Sequence, residues 1–438
     1  MKGMMLAADE LGFKDWLAET EPHMLAHALD HASSEDRTQA MRALSAQRAD
    51  RIFGLLEPVN QLDVLQSVDE RTRRRLLHEM EPDDRARMLS DLPVAIGEAL
   101  LQELTPDERA TTRTLLDYPK HSAGRIMSPE FVRLTPGMTV SDALEAIRSG
   151  QKRAETVFLM PVADDDMRLL GTVDLAQIVL ASPDMRIADL AGRDVPAVSV
   201  LDDQEKIARL MKSADLMIVP VVEEQDRLVG IITFDDAMEV LDFEEGEDFA
   251  RSGATEPVGR PYLSVPVLRL VRARMVWLSV LAVAASLTVN VLNAFEATLE
   301  SVVTLALFIP LLIGIGGNAG AQSATTIVRA LAVSDVVPRD ALRIAWLETR
   351  TGFVMGLGIA TFAMILLSIL FDPSIALVVS LTLVFICTLA ALVGSLMPVA
   401  ARVLSIDPAV FSAPFVTTVV DASGLLIYFM VARAVMGV

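Results

Sequence analysis

The sequence predicts a multidomain protein of α and α/β structure. A helical solenoid, a tandem α/β module and an acidic connecting helix precede a five-helix α transmembrane domain. Hydrophobic residues make up 52% of the 438-residue chain, which is high for a soluble protein. Beyond Glu256 they fall into runs of about 20 residues, long enough to cross a bilayer. Before Glu256 the chain instead carries two kinds of internal repeat. We place the domain bounds at 1–122, 123–240 with halves 123–183 and 184–240, 241–262, and 263–438.

Charge is divided in the same way. From Glu256 onward the chain has ten Arg and no Lys against nine acidic residues, a net charge of +1, so the total of −20 leaves −21 for residues 1–255. An acidic half of this size repels the phosphates of nucleic acid and attracts cations. The composition therefore argues against nucleic acid as a partner and favours cations, with a lipid membrane around the second half.

The solenoid is predicted from a repeat of 24 residues. Pro58, Pro82 and Pro106 recur at this spacing, the string PDDRA at Pro82 is echoed by PDERA at Pro106, and SEDR at Ser34 lies in phase. Proline followed by acidic residues is typical of a helix start. The repeat predicts short helices stacked in pairs, and helix capping is the simplest role for most of these acids.

The α/β module is predicted from two similar units, which begin near Ile126 and Leu190. Each has a short strand, a helix bearing acids, an apolar strand ending in Pro-Val, an acidic turn, a strand through Gly171 or Gly230, and a final helix. The second unit resembles a CBS domain, and the first is a weaker copy. Such units come in tandem pairs that pack as one module.

An acidic segment connects this module to the membrane domain. Its sequence from Glu239 to Gly253 is EVLDFEEGEDFARSG, and we expect a helix there despite Gly246. A hinge rich in Pro and Gly follows. The hinge residues are Pro257, Gly259, Pro261 and Pro266, and a basic collar of Arg269, Arg272 and Arg274 comes after them.

Five membrane spans are predicted, at about 275–294, 301–331, 344–371, 375–403 and 411–436. Arginines precede the first span and lie between the second and third and between the fourth and fifth. Basic residues favour the cytoplasmic side. We therefore expect a multi-pass protein of the cell inner (plasma) membrane, with cytoplasmic N-terminal domains and the C-terminus outside.

A glycine-rich string lies in the second span, PLLIGIGGNAGAQS from Pro310 to Ser323. Such backbone is tolerated in a membrane where helices approach closely or where carbonyl groups line a cavity. A dinucleotide-binding loop is excluded because the string follows no strand and lies within the bilayer. Close packing of small residues remains the alternative to an ion path.

Asp421 is an acidic residue within the apolar fifth span. Thr417, Asp421, Gly424 and Tyr428 share one helical face. An ionisable residue inside a membrane usually marks an ion path or a proton site. One carboxylate is a poor site for bare Mg²⁺, which keeps several of its waters. Two copies of Asp421 around a twofold axis would form a ring for the hydrated ion, so we predict a homodimer.

Taken together, these features resemble the MgtE family of magnesium channels. The resemblance rests on the domain order and on two strings, PLLIGIGGNAGAQSATTIVRALA and PFVTTVVDASGLLIYFMVARAVM. It implies a homodimeric, Mg²⁺-selective channel for passive uptake, closed by cytosolic Mg²⁺. The family's selectivity carboxylate corresponds to Asp421, and its GGN element to Gly316, Gly317 and Asn318.

The resemblance also implies regulatory Mg²⁺ ligands among the acids of the cytoplasmic half, with 241–262 as a plug helix. The implied positions are Asp203, Glu205, Asp215, Asp235, Asp236, Glu239, Glu244, Glu247, Asp248 and Asp84. Glu239 stands where the family has Asp, which keeps the charge but changes its reach. Divalent cations between acidic faces would draw the module and the plug helix together. A solvated acidic face is the alternative.

Two other functions remain open. A CBS pair can bind ATP or another adenine nucleotide, and Asp235 near a strand end could meet a ribose hydroxyl, so the chain could be a membrane-anchored nucleotide sensor. It could also be a proton-coupled carrier of divalent cations in which Asp421 titrates. An enzyme is not expected, since the five histidines all lie within residues 1–121 and no nucleophile with its base is apparent.

Overall fold

The chain forms two compact units, divided between Glu244 and Glu245, in a computed structural model. The structure describes residues 10–90, 92–150, 154–192, 196–258, 265–333, 335–404, 406–411 and 413–437. Gly259 and Pro261 of the expected hinge lie outside these residues.

The first unit opens with short helices, as the 24-residue repeat predicts. Among the described residues they are α1 Glu10–Glu19, α2 Pro22–Asp30, α3 Ser34–Ala43, α4 Ala46–Gly54, α5 Pro58–Ser67, α6 Glu70–Glu79, α7 Pro82–Ser90, α8 Val94–Glu103 and α9 Pro106–Asp117. The prolines of the repeat each begin a helix, and α9 has a full capping box in which Thr105 and Glu108 satisfy each other's main-chain N–H groups.

A second feature of the repeat lies three residues after each helix start. Arg37, Gln61, Arg85 and Arg109 each donate to the main-chain carbonyl oxygen of the residue eight positions earlier, at 3.0, 3.1, 2.9 and 2.9 Å. These carbonyls lie in the last turn of the preceding helix, where few main-chain donors remain, and the repeat residue supplies each of them with a side-chain donor. The repeat therefore ties each helix to the one before it.

The α/β module follows. Its elements are α10 Ala123–Ile126, α11 Val140–Gly150, β1 Leu159–Ala163, β2 Leu169–Asp174, α12 Leu175–Leu180, α13 Ile187–Leu190, β3 Val198–Ser199, α14 Gln204–Ser213, β4 Ile218–Val222, β5 Leu228–Thr233 and α15 Phe234–Ser252. Antiparallel β1 and β2 form one sheet, and β3, β4 and β5 form the other, with β3 parallel to β4. In the first half of the module, the expected first strand is reduced to a single β-bridge between Leu134 and Val162.

The two strand glycines allow close backbone contact. A Cβ at Gly230 would lie 2.7 Å from Met127 Sδ, and one at Gly171 would overlap the carbonyl oxygen of Gly192. Helix α15 runs without interruption through Gly246, whose missing side chain faces open space. The acidic connecting segment is thus the continuation of the last helix of the module.

The second unit contains five helices that are long and apolar enough to cross a membrane, among the residues described. Its helices are α16 Val267–Ala294, α17 Glu296–Ser301, α18 Ile309–Ala332, α19 Ala341–Leu370, α20 Pro373–Val403 and α21 Ala413–Met436. Helix α20 is the most buried of the five. Most of the predicted spans are confirmed to within a few residues.

The start of the first predicted span was wrong, and the second span has an internal change of helix type. Helix α16 begins at Val267 rather than near 275, so the three arginines of the collar lie on the helix itself. The span expected at 301–331 is confirmed as Val303–Ala332, although its first residues, Val303–Phe308, form a 3₁₀ helix and α18 begins at Ile309. Pro310 lies in the first turn of α18, where its missing N–H has no intrahelical acceptor to lose.

Candidate functional site

Glycines of α18 bring three membrane helices together. A Cβ at Gly316 would overlap Ile386 of α20, and one at Gly394 of α20 would overlap the carbonyl oxygen of Gly320. A Cβ at Gly320 would also lie 2.8 Å from Val416 Cγ1 of α21. Close helix packing therefore accounts for Gly316 and Gly320, as small residues do in other membrane bundles.

Gly317 lies beside Asp421. A Cβ at Gly317 would lie 3.2 Å from Thr417 Cγ2 and 3.8 Å from Asp421 Oδ1. Asp421 Oδ1 is buried and accepts no hydrogen bond from any described residue, while Thr417 Oγ1 donates to the Pro414 carbonyl at 2.9 Å. A buried carboxylate oxygen without a donor is unfavourable unless a cation or water meets it.

The remaining predicted pore residues have different surroundings. Asn318 is exposed on the face of α18 next to Gly317. Gly424 is buried, and its Cβ position lies 3.3 Å from Ile386 Cδ1. Tyr428 is buried and donates its hydroxyl to the Leu305 carbonyl at 2.9 Å. The structure thus brings Thr417 and Asp421 to Gly317, whereas Gly424 and Tyr428 pack inside the bundle.

Sequence analysis missed a second acidic residue in the bundle. Glu348 of α19 is half-buried, and its Oε2 accepts a hydrogen bond from Ser323 Oγ of α18 at 2.7 Å. Ser323 is 5% exposed. Glu348 lay inside the predicted third span, so an acid in an apolar run was the signal that could have identified it.

The first unit contains a cluster of carboxylates around Arg87. Arg87 of α7 forms ion pairs with Asp84 and with Glu239 of α15, and Thr233 Oγ1 donates to Asp236 Oδ2 at 2.5 Å. Four other acids belong to the cluster because their charges repel those of Asp84, Asp236 or one another. They are Glu81, Asp83, Glu155 and Asp235. Three of the predicted regulatory acids besides Asp84, namely Asp235, Asp236 and Glu239, therefore belong to one cluster.

Burial and mutual repulsion make this cluster reluctant to ionise. Burial, reinforced by Asp236 and Asp84, holds the pKa of Asp83 well above its usual range. Burial and the charge of Glu81 raise the pKa of Glu155 to about 8. Burial raises the pKa of Asp236 to about 7, although the Thr233 hydrogen bond and Arg87 act against it. The side chain of Arg87 is 34% exposed, and it supplies one positive charge to the carboxylates of the cluster.

Asp83 also has an unsatisfied atom. Its side chain is 2% exposed, and its Oδ1 accepts no hydrogen bond within the described parts of the chain. It borders a cavity of about 250 Å³. The same cavity is lined by Arg87, Lys120, His121, Arg125, Gln204, Asp236, Glu239 and Phe243, among others. A further cation or a water at this cavity would satisfy the orphaned oxygen.

Other predicted regulatory acids lie elsewhere in the chain. Asp203 caps α14 by accepting the main-chain N–H of its third residue at 3.2 Å. Glu205 pairs with Arg209 at 2.5 Å. Asp215 has a φ of 52°, the left-handed conformation of a turn, and Asp248 is half-buried on α15. In the described residues no three or more His, Cys, Asp or Glu side chains are arranged to hold a metal ion.

The last two predicted acids lie toward the end of α15. Glu244 accepts a hydrogen bond from Gln204 Nε2 at 2.7 Å in the first unit. In the second unit Glu247 pairs with Arg251, and Arg251 also binds Asp407, which precedes α21, at 2.6 Å. The end of α15 is therefore tied to the segment that leads into the helix of Asp421.

Comparison with known proteins agrees with this architecture. The family model for the MgtE intracellular N domain matches residues 20–121, the CBS domain model matches 123–184 and 187–242, and the MgtE divalent cation transporter model matches 309–431. The chain is 39% identical over 327 residues to the magnesium transporter MgtE of Thermus thermophilus, an alignment that covers 74% of this chain and 72% of that protein. The chain belongs to the MgtE family.

Further members of the family extend the comparison. The chain is 30% identical over 426 residues to the magnesium transporter MgtE of Bacillus subtilis, covering 96% of this chain and 93% of that one. A solved structure of the cytosolic domain of the Mg²⁺ channel MgtE in complex with ATP is 32% identical, with a TM-score of 0.52, and covers 55% of this chain and 98% of that one. The predicted family and fold class are thereby confirmed, and the chain is a multi-pass transporter of the MgtE family.

Proposed function

We propose that the chain forms a homodimeric, Mg²⁺-selective channel for passive uptake across the plasma membrane. The observation that carries this is Asp421, whose buried Oδ1 has no donor among the described residues and lies beside Gly317 and Thr417. Mg²⁺ gives up water reluctantly and is often bound through its waters by one or two carboxylates. Because Gly317 has no side chain, the position 3.8 Å from Asp421 Oδ1 that a Cβ would fill is left open.

A polar stripe on α18 supports the dimer. Asn318, Gln322, Thr325 and Arg329 are spaced at i, i+4, i+7 and i+11 and are exposed in the single chain. Polar side chains at membrane depth usually face other protein or a water-filled path. A second copy of the chain would cover this stripe and place two ion paths, or one shared path, between the subunits.

The acidic cluster of the first unit supports closure by cytosolic Mg²⁺. Its carboxylates outnumber its one arginine, and Asp83 Oδ1 is left unsatisfied. Divalent cations at this cluster, and at Asp203, Glu205, Asp215, Glu244, Glu247 and Asp248, would stabilise a compact closed state. In this account residues 1–122, 123–240 and 241–262 are cytoplasmic solenoid, CBS pair and plug helix, and the C-terminus of the membrane domain 263–438 is outside.

Flux measurements test the channel. Reconstituted in liposomes, the parent chain should pass Mg²⁺ down its gradient with or without a pH difference, and Asp421→Ala should abolish that flux. Asp372→Ala is a matched control, because Asp372 is an exposed acid that caps α20 through the Ser374 N–H at 2.8 Å. Flux that requires a pH gradient would favour the proton-coupled carrier. Normal flux in Asp421→Ala would refute the assignment of the path.

A second candidate is regulation by an adenine nucleotide. The similar cytosolic domain was solved with ATP, and the 250 Å³ cavity offers cationic Lys120 and Arg125 together with the rings of His121 and Phe243. His121 and Phe243 lie with ring centroids 6.2 Å apart. ATP should then raise the unfolding midpoint of the full chain in detergent, and Lys120→Ala should reduce that gain. An unchanged midpoint at saturating ATP would eliminate this candidate.

A further inference from the structure

Glu348 is a membrane-embedded acid that the proposed path through Asp421 does not use. It lies seven residues after the start of α19, roughly 10 Å along the helix axis at 1.5 Å per residue. A charged side chain at this depth is unfavourable unless it has a partner. Its partner is Ser323 Oγ of α18, at 2.7 Å.

The pair links two helices that both pack against α20. Gly352 of α19 packs against α20, where its Cβ position would be 2.5 Å from the Cys387 carbonyl oxygen. Gly320 of α18 also packs against α20, with its Cβ position 3.3 Å from the Ala390 carbonyl oxygen. The Ser323–Glu348 hydrogen bond therefore connects α18 to α19 directly, beside the helix that both of them contact.

Apolar residues close off the pair on one side. Ile327, four residues after Ser323, and Ile344, four residues before Glu348, belong to one buried cluster with Leu331 and Val399. A hydrogen bond shielded in this way is directional, whereas glycine contacts permit a helix to rotate or slide. The pair is thus suited to fix the rotation of α18.

The rotation of α18 determines what Asp421 faces. Ser323 lies six residues after Gly317, about 9 Å along the same helix. Gly317 and Asn318 are adjacent, and only a narrow range of rotation keeps Gly317 against Thr417 and Asp421 while Asn318 is exposed. A small rotation would carry a bulkier neighbour into the space in front of the carboxylate.

We propose that Glu348 is a positioning residue for Mg²⁺ transport. By accepting the hydrogen bond of Ser323 it holds α18 in the orientation that keeps the space before Asp421 open. This inference rests on the proposed channel function. It requires a hydrogen-bond acceptor at position 348, and the negative charge itself is dispensable.

Three single variants and one double variant separate these roles. Ser323→Ala and Glu348→Ala should each lower Mg²⁺ flux by roughly three- to twentyfold, the range that one interhelical hydrogen bond supports in a membrane. Glu348→Gln keeps an acceptor oxygen and should retain most of the flux. The double variant Ser323→Ala, Glu348→Ala should be no worse than either single variant, because both remove the same bond. Loss of flux in Glu348→Gln with normal flux in Ser323→Ala would overturn the proposal in favour of a second cation site.

A second readout does not depend on Mg²⁺ transport. Asn318→Cys can be labelled with a water-soluble maleimide in the parent and in the Ser323→Ala background, and the parent with only its buried Cys387 gives the blank. The labelling rate of Asn318→Cys should change in the Ser323→Ala background. In a separate Glu348→Gln background, which keeps the acceptor oxygen, the rate should stay close to that in the parent. Equal rates in all three would refute the positioning role even if the channel proposal held. If the parent passes no Mg²⁺ while the labelling rates differ, the proposed function alone fails.

Discussion

Replacement of Arg87 by alanine tests how the acidic cluster of the first unit is held together. Arg87 bridges Asp84 and Glu239, and the exposures of the three side chains are 34%, 29% and 63%. A partly exposed ion pair contributes about 0.2–1 kcal/mol. Loss of both pairs should therefore lower the free energy of unfolding by about 0.4–2 kcal/mol in metal-free buffer. For a unit of this size that corresponds to a drop of about 1–8 °C in the unfolding midpoint.

The same substitution should increase the response to Mg²⁺. Arg87 competes with any divalent cation for Asp84 and Glu239, so its removal leaves two more free carboxylates beside the buried Asp83. Differential scanning fluorimetry of the full chain, with and without millimolar MgCl₂, should show a larger Mg²⁺-induced rise of the midpoint in Arg87→Ala than in the parent. Arg87→Lys, which keeps the charge, should behave more like the parent.

A matched arginine serves as the control. Arg113 pairs with Glu98 at 3.4 Å, and both side chains are more than half exposed. Arg113→Ala should change the free energy of unfolding by less than about 0.5 kcal/mol and leave the Mg²⁺ response unchanged. If Arg87→Ala unfolds like the parent in metal-free buffer, or gains no more from Mg²⁺ than the parent does, the electrostatic account of the cluster is refuted.

Three further predictions concern stability. In metal-free buffer the midpoint temperature of unfolding should decrease as the pH is raised from about 5 to about 8. The reason is that the raised pKa values of Asp236, about 7, and Glu155, about 8, favour the protonated forms in the folded state. A midpoint temperature that increases over this range in thermal melts would contradict the prediction. Gly394→Val, which forces a side chain into the main chain of α18, should cost about 1–3 kcal/mol in a steric-trap or detergent unfolding assay, and Gly358→Val, with open space around it, should be neutral. Arg85→Ala leaves buried carbonyls without a donor and should cost about 2–4 kcal/mol in urea titrations; a loss below the error of the titration would show that the interhelical tie contributes little.

Much of the fold was predictable because it is local in sequence. The prolines that begin α5, α7 and α9 announce those helices, since proline fits a first helical turn and little else in a helix. The membrane helices follow from the length of their apolar runs. The 3₁₀ helix at the start of the second span was not predicted, because an apolar run does not show where a 3₁₀ turn gives way to an α-helix.

The roles of the repeat's polar residues were predicted less well. The acids after each proline were expected to be helix caps, and that holds for Glu108. The residue at the fourth position of the repeat escaped notice, although Arg37, Gln61 and Arg85 each bind the carbonyls of the preceding helix. Spacing alone does not indicate this, because the contact depends on how consecutive helices pack.

The candidate sites show the same division. Asp421 stands out in the sequence because it interrupts an apolar run. Gly317 was predicted as a pore residue only through the resemblance to the family. The pairing of Arg87 with Glu239 was not predictable, since 152 positions separate the two residues. Glu348 was overlooked although it lies in a predicted span, because its significance depends on Ser323 of another helix. Long-range polar contacts of this kind require the tertiary structure.

The central claim is that the charge of Asp421 selects Mg²⁺, and Asp421→Asn tests it most directly. Asparagine has the shape of aspartate, so the packing around Gly317 and Thr417 is preserved while the charge is removed. Mg²⁺ flux into liposomes should be almost abolished in this variant, with an unfolding midpoint close to that of the parent. Selective Mg²⁺ flux at the parent's rate in Asp421→Asn would contradict the claim.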